Sequence, residues 1–118
     1  MNADQKVVVV GTGGTISSRY DPSRGRVVAS QDVEGIVALL PDRSELPRLE
    51  FQNFATIASF EMSIETAHEL VKYISTLVAS PDVCGVVVTQ GTDTMEETSF
   101  LADLLVPLGK PVDFTGAQ

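Results

Sequence analysis

The sequence predicts an α/β protein, an open parallel sheet with helices on both faces. Three features lead there. Short all-apolar runs, rich in β-branched residues, suit strands buried on both sides. Segments with apolar residues at helical spacing alternate with them, as βαβ units require. Two polar loops, Gly- and Thr-rich, directly follow two of the apolar runs.

Taken in order, residues 6–10 (Lys-Val-Val-Val-Val) form the first strand, running into Gly11-Thr12-Gly13-Gly14-Thr15, which is too Gly-rich for regular structure. Residues 17–25 carry Asp21, Pro22, Ser23 and Gly25 and are expected as an exposed, mobile excursion. Val33, Ile36, Val37 and Leu40 keep the i, i+3, i+4, i+7 spacing of a short helix that Pro41 stops. A second strand is expected over residues 49–57.

Ser63 caps a longer helix whose core face is Ala67, Leu70, Val71, Ile74 and Val78. Pro81-Asp82 turns the chain into a strand over residues 84–88. Thr94 with Glu97 three residues later forms a capping box. The helix it opens is expected to bury Leu101, Leu104, Leu105 and Leu108. Gly109 ends that helix, and residues 111–115 enter a last strand. The alternation matches flavodoxin-like or Rossmann-like layering. In such sheets ligands bind beyond the carboxyl ends of the strands, so the two polar loops converge on one pocket.

The composition narrows the function. A length of 118 residues suits one compact domain, commonly about 100–150 residues. Eight Lys and Arg against sixteen Asp and Glu leave a net charge of −8 with no basic cluster, which disfavours a nucleic-acid partner. The single cysteine, Cys84, excludes an intrachain disulfide. Apolar runs fall far short of the roughly 20 residues of a membrane span. The first strand starts close to Met1, leaving no room for a signal peptide, so a cytoplasmic location is expected.

The loop at 11–15 is not a nucleotide fingerprint. A dinucleotide motif needs Gly in place of Ile16, and a P-loop needs Gly-Lys-Ser/Thr. Spacing alone leaves both a tight strand exit and a functional loop open. Thr89-Gln90-Gly91-Thr92-Asp93-Thr94 is richer, with three threonines and a carboxylate before a helix N-terminus. Thr94 suffices as a cap, which leaves Thr92 and Asp93 surplus. A hydroxyl needs a base to act as nucleophile, and a lysine kept neutral by burial would serve. Lys6, Lys72 and Lys110 all lie away from the proposed edge.

Thr12-Gly13-Gly14-Thr15-Ile16 and Gln90-Gly91-Thr92-Asp93-Thr94-Met95-Glu96-Glu97-Thr98 resemble the two signature motifs of bacterial-type L-asparaginases and glutaminase-asparaginases. Phe114-Thr115-Gly116-Ala117 resembles the strand end that follows in that family. The resemblance covers the whole chain but only the front of the family's N-terminal domain. It implies that residues 1–118 are a partial N-terminal asparaginase-like domain.

It further implies hydrolysis of L-asparagine, and of L-glutamine as a second candidate, with no cofactor and no metal. Thr15 matches the nucleophile, Thr92 the second essential threonine, and Asp93 the carboxylate that contacts the substrate α-amino group. Ser59 matches the serine that binds the α-carboxylate, while Gly14, Gly91 and Ala117 line the site. Thr15 would be acylated, ammonia would leave, and water would release aspartate. The N–H groups of Thr15 and Thr92 are natural oxyanion donors, each worth about 3–4 kcal/mol in a transition state.

Departures accompany the match. The family's flap tyrosine aligns near Arg26 rather than Tyr20, and Tyr20 is the candidate to replace it. Phe60 stands where some members have a glutamine touching the substrate carboxylate. The family's catalytic lysine, its C-terminal domain and an acidic residue from a neighbouring subunit of a homotetramer all fall beyond Gln118. The chain is therefore expected to be a fragment, inactive alone.

Other residues have plainer readings. His68 sits on a solvated helix face, and Cys84 is a small core residue. Glu96 and Glu97 favour the positive end of a helix, while Tyr73 and Phe100 are expected to pack. Asp113 needs a partner or exposure. Two further functions compete with the amidohydrolase. One is a non-catalytic small-ligand module, and the other is the asparaginase-like subunit of a tRNA-dependent amidotransferase.

Overall fold

A computed structural model describes residues 4–29 and 32–117. Strands β1 (Lys6–Gly13), β4 (Leu49–Ile57), β5 (Val83–Thr89) and β6 (Val112–Thr115) form a four-stranded sheet in the order β4-β1-β5-β6. Every pairing in it is parallel. Helix α2 (Ile64–Ala79) covers one face, alongside α3 (Met95–Leu105), and the short α1 (Val33–Val37) lies against the other. The predicted α/β class, with helices on both faces, is the observed one.

Period-2 alternation sorts the valines. Val8, Val10, Val86 and Val88 point to α2 and pack on Leu70, Ile74 and Val78 as the core. Their neighbours Val7, Val9 and Val87 line a groove of about 380 Å³ with Ile36 and Val37. The Ser63 hydroxyl accepts from the Thr66 N–H at 3.1 Å, so α2 begins on the expected cap. Tyr73 of α2 stacks on Phe54 with ring centroids 5.8 Å apart.

Several expectations give way. β1 extends through Gly13, because Gly11 still pairs with Asn53 and Thr89 before the register shifts. Residues 17–25 are largely exposed as expected but regular: β2 (Ser18–Asp21) and β3 (Arg26–Ala29) make an antiparallel hairpin. Its turn is tied by Asp21, whose carboxylate accepts from the N–H and hydroxyl of Ser23. α1 stops at Val37, and Leu40 is exposed rather than on a buried helical face.

Most of the expected leucine stripe is also outside: α3 ends at Leu105, before Leu108, and of the four leucines only Leu101 is half-buried. Leu104 is 63% and Leu108 96% exposed, and Phe100 is exposed with them. α3 instead turns Thr98 and Ala102 inward. The spacing marks an apolar face correctly, but small residues let the helix approach its neighbours while a polar bond draws Thr98 in. Asp113 lies on β6, which pairs only with β5 among the described residues, and exposure resolves its charge.

Candidate active site

The carboxyl ends of β1, β4 and β5 lie at one edge of the parallel sheet, and the turns that leave them meet there. A cleft of about 250 Å³ forms between them, lined by Gly14, Thr15, Ser18, Ala58, Ser59, Phe60 and Asp93. Gly14 makes the meeting possible. Its φ of +83° suits glycine, and a Cβ there would stand 2.4 Å from the Gly91 nitrogen. The two polar loops therefore touch backbone to backbone.

The peptide ahead of Thr15 is clamped. Gly14 N–H donates to the Ile57 carbonyl at 3.1 Å. The Gly14 carbonyl accepts from the Ser17 N–H (3.2 Å), the Ser17 hydroxyl (3.0 Å) and the Ser18 hydroxyl (2.9 Å). In a trans peptide the next N–H points opposite to the carbonyl. Three donors on Gly14 thus fix the direction of the Thr15 N–H. Thr15 itself opens a 3-10 turn, is exposed, and carries no hydroxyl partner among the described residues.

Ser59 follows β4 on a second 3-10 turn and is buried. Its hydroxyl donates to the Asp93 carboxylate at 2.7 Å and accepts from the Asp93 N–H at 3.2 Å. Thr94 adds a third tie, donating to the Ser59 carbonyl at 2.9 Å. That bond overturns the capping box. The Thr94 hydroxyl caps nothing, because Ser59 takes its proton and Gln90 occupies its oxygen. Thr94 is spent on joining two turns, so the surplus residues of the motif are not surplus to a cap.

Thr15, Ser59, Asp93 and Gly14 share the cleft, with Gly91 buried directly behind Ser59. Thr92 is exposed at the adjacent turn and does not line the cleft. Tyr20, 64% exposed on the hairpin, and half-buried Ala117 are outside the lining as well. Tyr20 stands two residues from Ser18 along β2 and therefore shares the strand face that reaches the cleft. Among the described residues no lysine is near. Lys6 pairs with Glu50 and Asp82 at the opposite end of the sheet, Lys72 with Glu69, and Lys110 donates to the Ser80 carbonyl.

Three contributors are not singled out by sequence alone: Ser18, Thr12 and Gln90. Buried Thr12 donates to the Thr89 carbonyl at 2.7 Å, pinning the exits of β1 and β5 together. Gln90 is legible only as part of the Gln90–Thr98 motif, four residues before Thr94 and eight before Thr98.

The family model described as "Asparaginase, N-terminal" matches residues 6–118. A glutaminase-asparaginase of Acinetobacter glutaminasificans is 33% identical over 115 residues, covering 95% of this chain and 35% of that protein. A glutamyl-tRNA(Gln) amidotransferase subunit of Pyrococcus horikoshii is 39% identical over 117 residues, covering 95% of this chain and 26% of its own. A solved structure described as a probable cytoplasmic L-asparaginase from Campylobacter jejuni superimposes with a TM-score of 0.80. It is 33% identical over 96% of this chain and 32% of its own. The chain spans about a third of the length of the curated relatives it first matches. With both motifs at one sheet edge and the family model matched from Lys6 onward, this chain belongs to the asparaginase N-terminal family.

Proposed function

We propose that this chain supplies the front part of an amidohydrolase site that converts L-asparagine to L-aspartate and ammonia, with L-glutamine as a second candidate substrate. The observation that carries the reading is the convergence of Thr15 with the Ser59–Asp93 pair on one cleft. The Thr15 hydroxyl attacks the side-chain amide carbon, the C–N bond breaks, and the nitrogen leaves as ammonia. Water then cleaves the Thr15 ester and regenerates the hydroxyl. Ser59 meets the α-carboxylate and Asp93 the α-amino group, while Gly14, Gly91 and Ala117 line the site. Thr92 provides the second hydroxyl, and Tyr20 serves as the flap residue.

The base is the missing part. Lys6, Lys72 and Lys110 are all engaged elsewhere, which supports a lysine from beyond Gln118. Residues 1–118 are accordingly read as a partial N-terminal domain, inactive alone, whose intact protein works as a homotetramer. A cytoplasmic location belongs to the same proposal and rests on the Campylobacter neighbour.

The test is ammonia release from L-asparagine by the protein expressed from its complete gene. Thr15→Ala should abolish it. Undiminished turnover by that variant would remove the assignment. The Pyrococcus relative motivates a second reading, an amidotransferase subunit that passes ammonia to a partner. Free ammonia released at full rate by the purified protein alone would exclude it.

A further inference from the structure

Gln90 directly follows β5 inside the protein, 1% exposed, with no place in the cleft lining. Its amide nitrogen donates to Thr94 Oγ1 at 3.1 Å and to Thr98 Oγ1 at 3.0 Å. Both hydroxyl protons are already committed, Thr94 to the Ser59 carbonyl and Thr98 to the Thr94 carbonyl. The amide must therefore face them with its two N–H groups, because its oxygen would find no proton to accept. Gln90 Oε1 is left buried without a partner among the described residues. An unpaired buried oxygen costs stability, so a side chain chosen only for packing would not be an amide.

We propose that Gln90 is a positioning residue whose buried amide, acting through the Thr94 hydroxyl, holds the Ser59 turn against the Asp93 turn. This rests on the amidohydrolase reading of the cleft. Three bonds join the two turns. Two of them use the Ser59 hydroxyl and the Asp93 carboxylate or N–H, and both side chains would turn to the substrate's carboxylate and ammonium. The Thr94–Ser59 bond spends only a backbone carbonyl, so it survives substrate binding. Because the Gln90 amide donates to Thr94 Oγ1, it cannot itself take the Thr94 proton, which goes to the Ser59 carbonyl. The Thr98 branch ends in the helix itself, where the Thr94 carbonyl also accepts the Thr98 N–H at 3.1 Å. It anchors the amide without reaching the cleft.

The experiment compares Gln90→Met, Thr94→Val, Thr94→Ser and Thr98→Val in the protein expressed from its complete gene. Gln90→Met and Thr94→Val should raise KM for asparagine roughly tenfold, the scale of one lost hydrogen bond, with kcat little changed. Thr94→Ser should restore it, and Thr98→Val should leave KM alone although it removes a bond to the same amide. Backbone hydrogen exchange at Asp93 is the second readout, independent of activity. It should accelerate in Gln90→Met and Thr94→Val but not in Thr98→Val. Equal exchange and KM changes in Thr98→Val and Thr94→Val would overturn the proposal, as would no change in either Gln90→Met or Thr94→Val. If the wild type hydrolyses no amide, the amidohydrolase reading fails, and the exchange pattern alone decides the role of Gln90.

Discussion

The Ser59 hydroxyl sits between two atoms of Asp93, donating to the carboxylate at 2.7 Å and accepting from the backbone N–H at 3.2 Å. Residues 34 apart in sequence thus form a closed two-bond unit beside Thr15. In the absence of ligand each satisfies the other. A ligand with a carboxylate and an ammonium can replace both bonds with charge-assisted ones.

Ser59→Ala removes both bonds at once. We expect L-aspartate to bind roughly tenfold more weakly, the scale of a single charge-assisted hydrogen bond. Isothermal titration of the intact protein checks this, and thermal denaturation should register only a small loss.

Gly14→Ala forces a Cβ to within 2.5 Å of Gly91 backbone atoms at a φ of +83°. Strain and overpacking together should cost about 2–4 kcal/mol. Urea denaturation measures that loss, and the variant should also lose the cleft.

Acid should loosen the far end of the sheet. The Ser80 hydroxyl and then the Lys6 ammonium hold the Asp82 carboxyl down to about 2. Lys6, then Gln52, lowers Glu50, while Glu50 and Asp82 raise Lys6. Depressed carboxylates contribute stability that is present above their unfolded values near 4 and lost as pH falls toward 2. The raised ammonium contributes below its unfolded value near 10.4 and loses it only as pH climbs higher. Stability should therefore be flat from about pH 5 to 10 in this respect. Asp82→Asn should flatten the acid limb of a Tm-versus-pH curve. An unchanged acid limb would discount the Lys6 cluster.

Leu108→Gln should leave the stability of residues 1–118 within about 0.5 kcal/mol, because the side chain is already in solvent. Ala102→Leu, at a buried position facing the sheet, should destabilise by about 1–3 kcal/mol. Parallel thermal melts distinguish the exposed turn after α3 from the buried face of the helix.

Much of this was legible in the chain. The β-branched run from Val7 to Val10 suits a strand buried on both sides, and Ser63 stands where α2 begins. Position at strand ends brought Thr15 and Asp93 to one edge. The leucines of α3 misled because periodicity reports an apolar face without saying what faces it. Thr94 misled for a different reason. A threonine before a helix caps by default, unless a carbonyl from a distant turn competes for its proton. Only the Ser59 carbonyl, 35 residues away, reveals that competition. The hairpin was hidden by turn residues that suit a tight reversal as well as an irregular loop.

The central claim is that Thr15 attacks the amide. Rapid quenching of the intact protein during turnover of L-asparagine, followed by peptide mass spectrometry, tests it directly. An aspartyl group esterified to Thr15 is the predicted result. Full turnover with the adduct on another residue would contradict it.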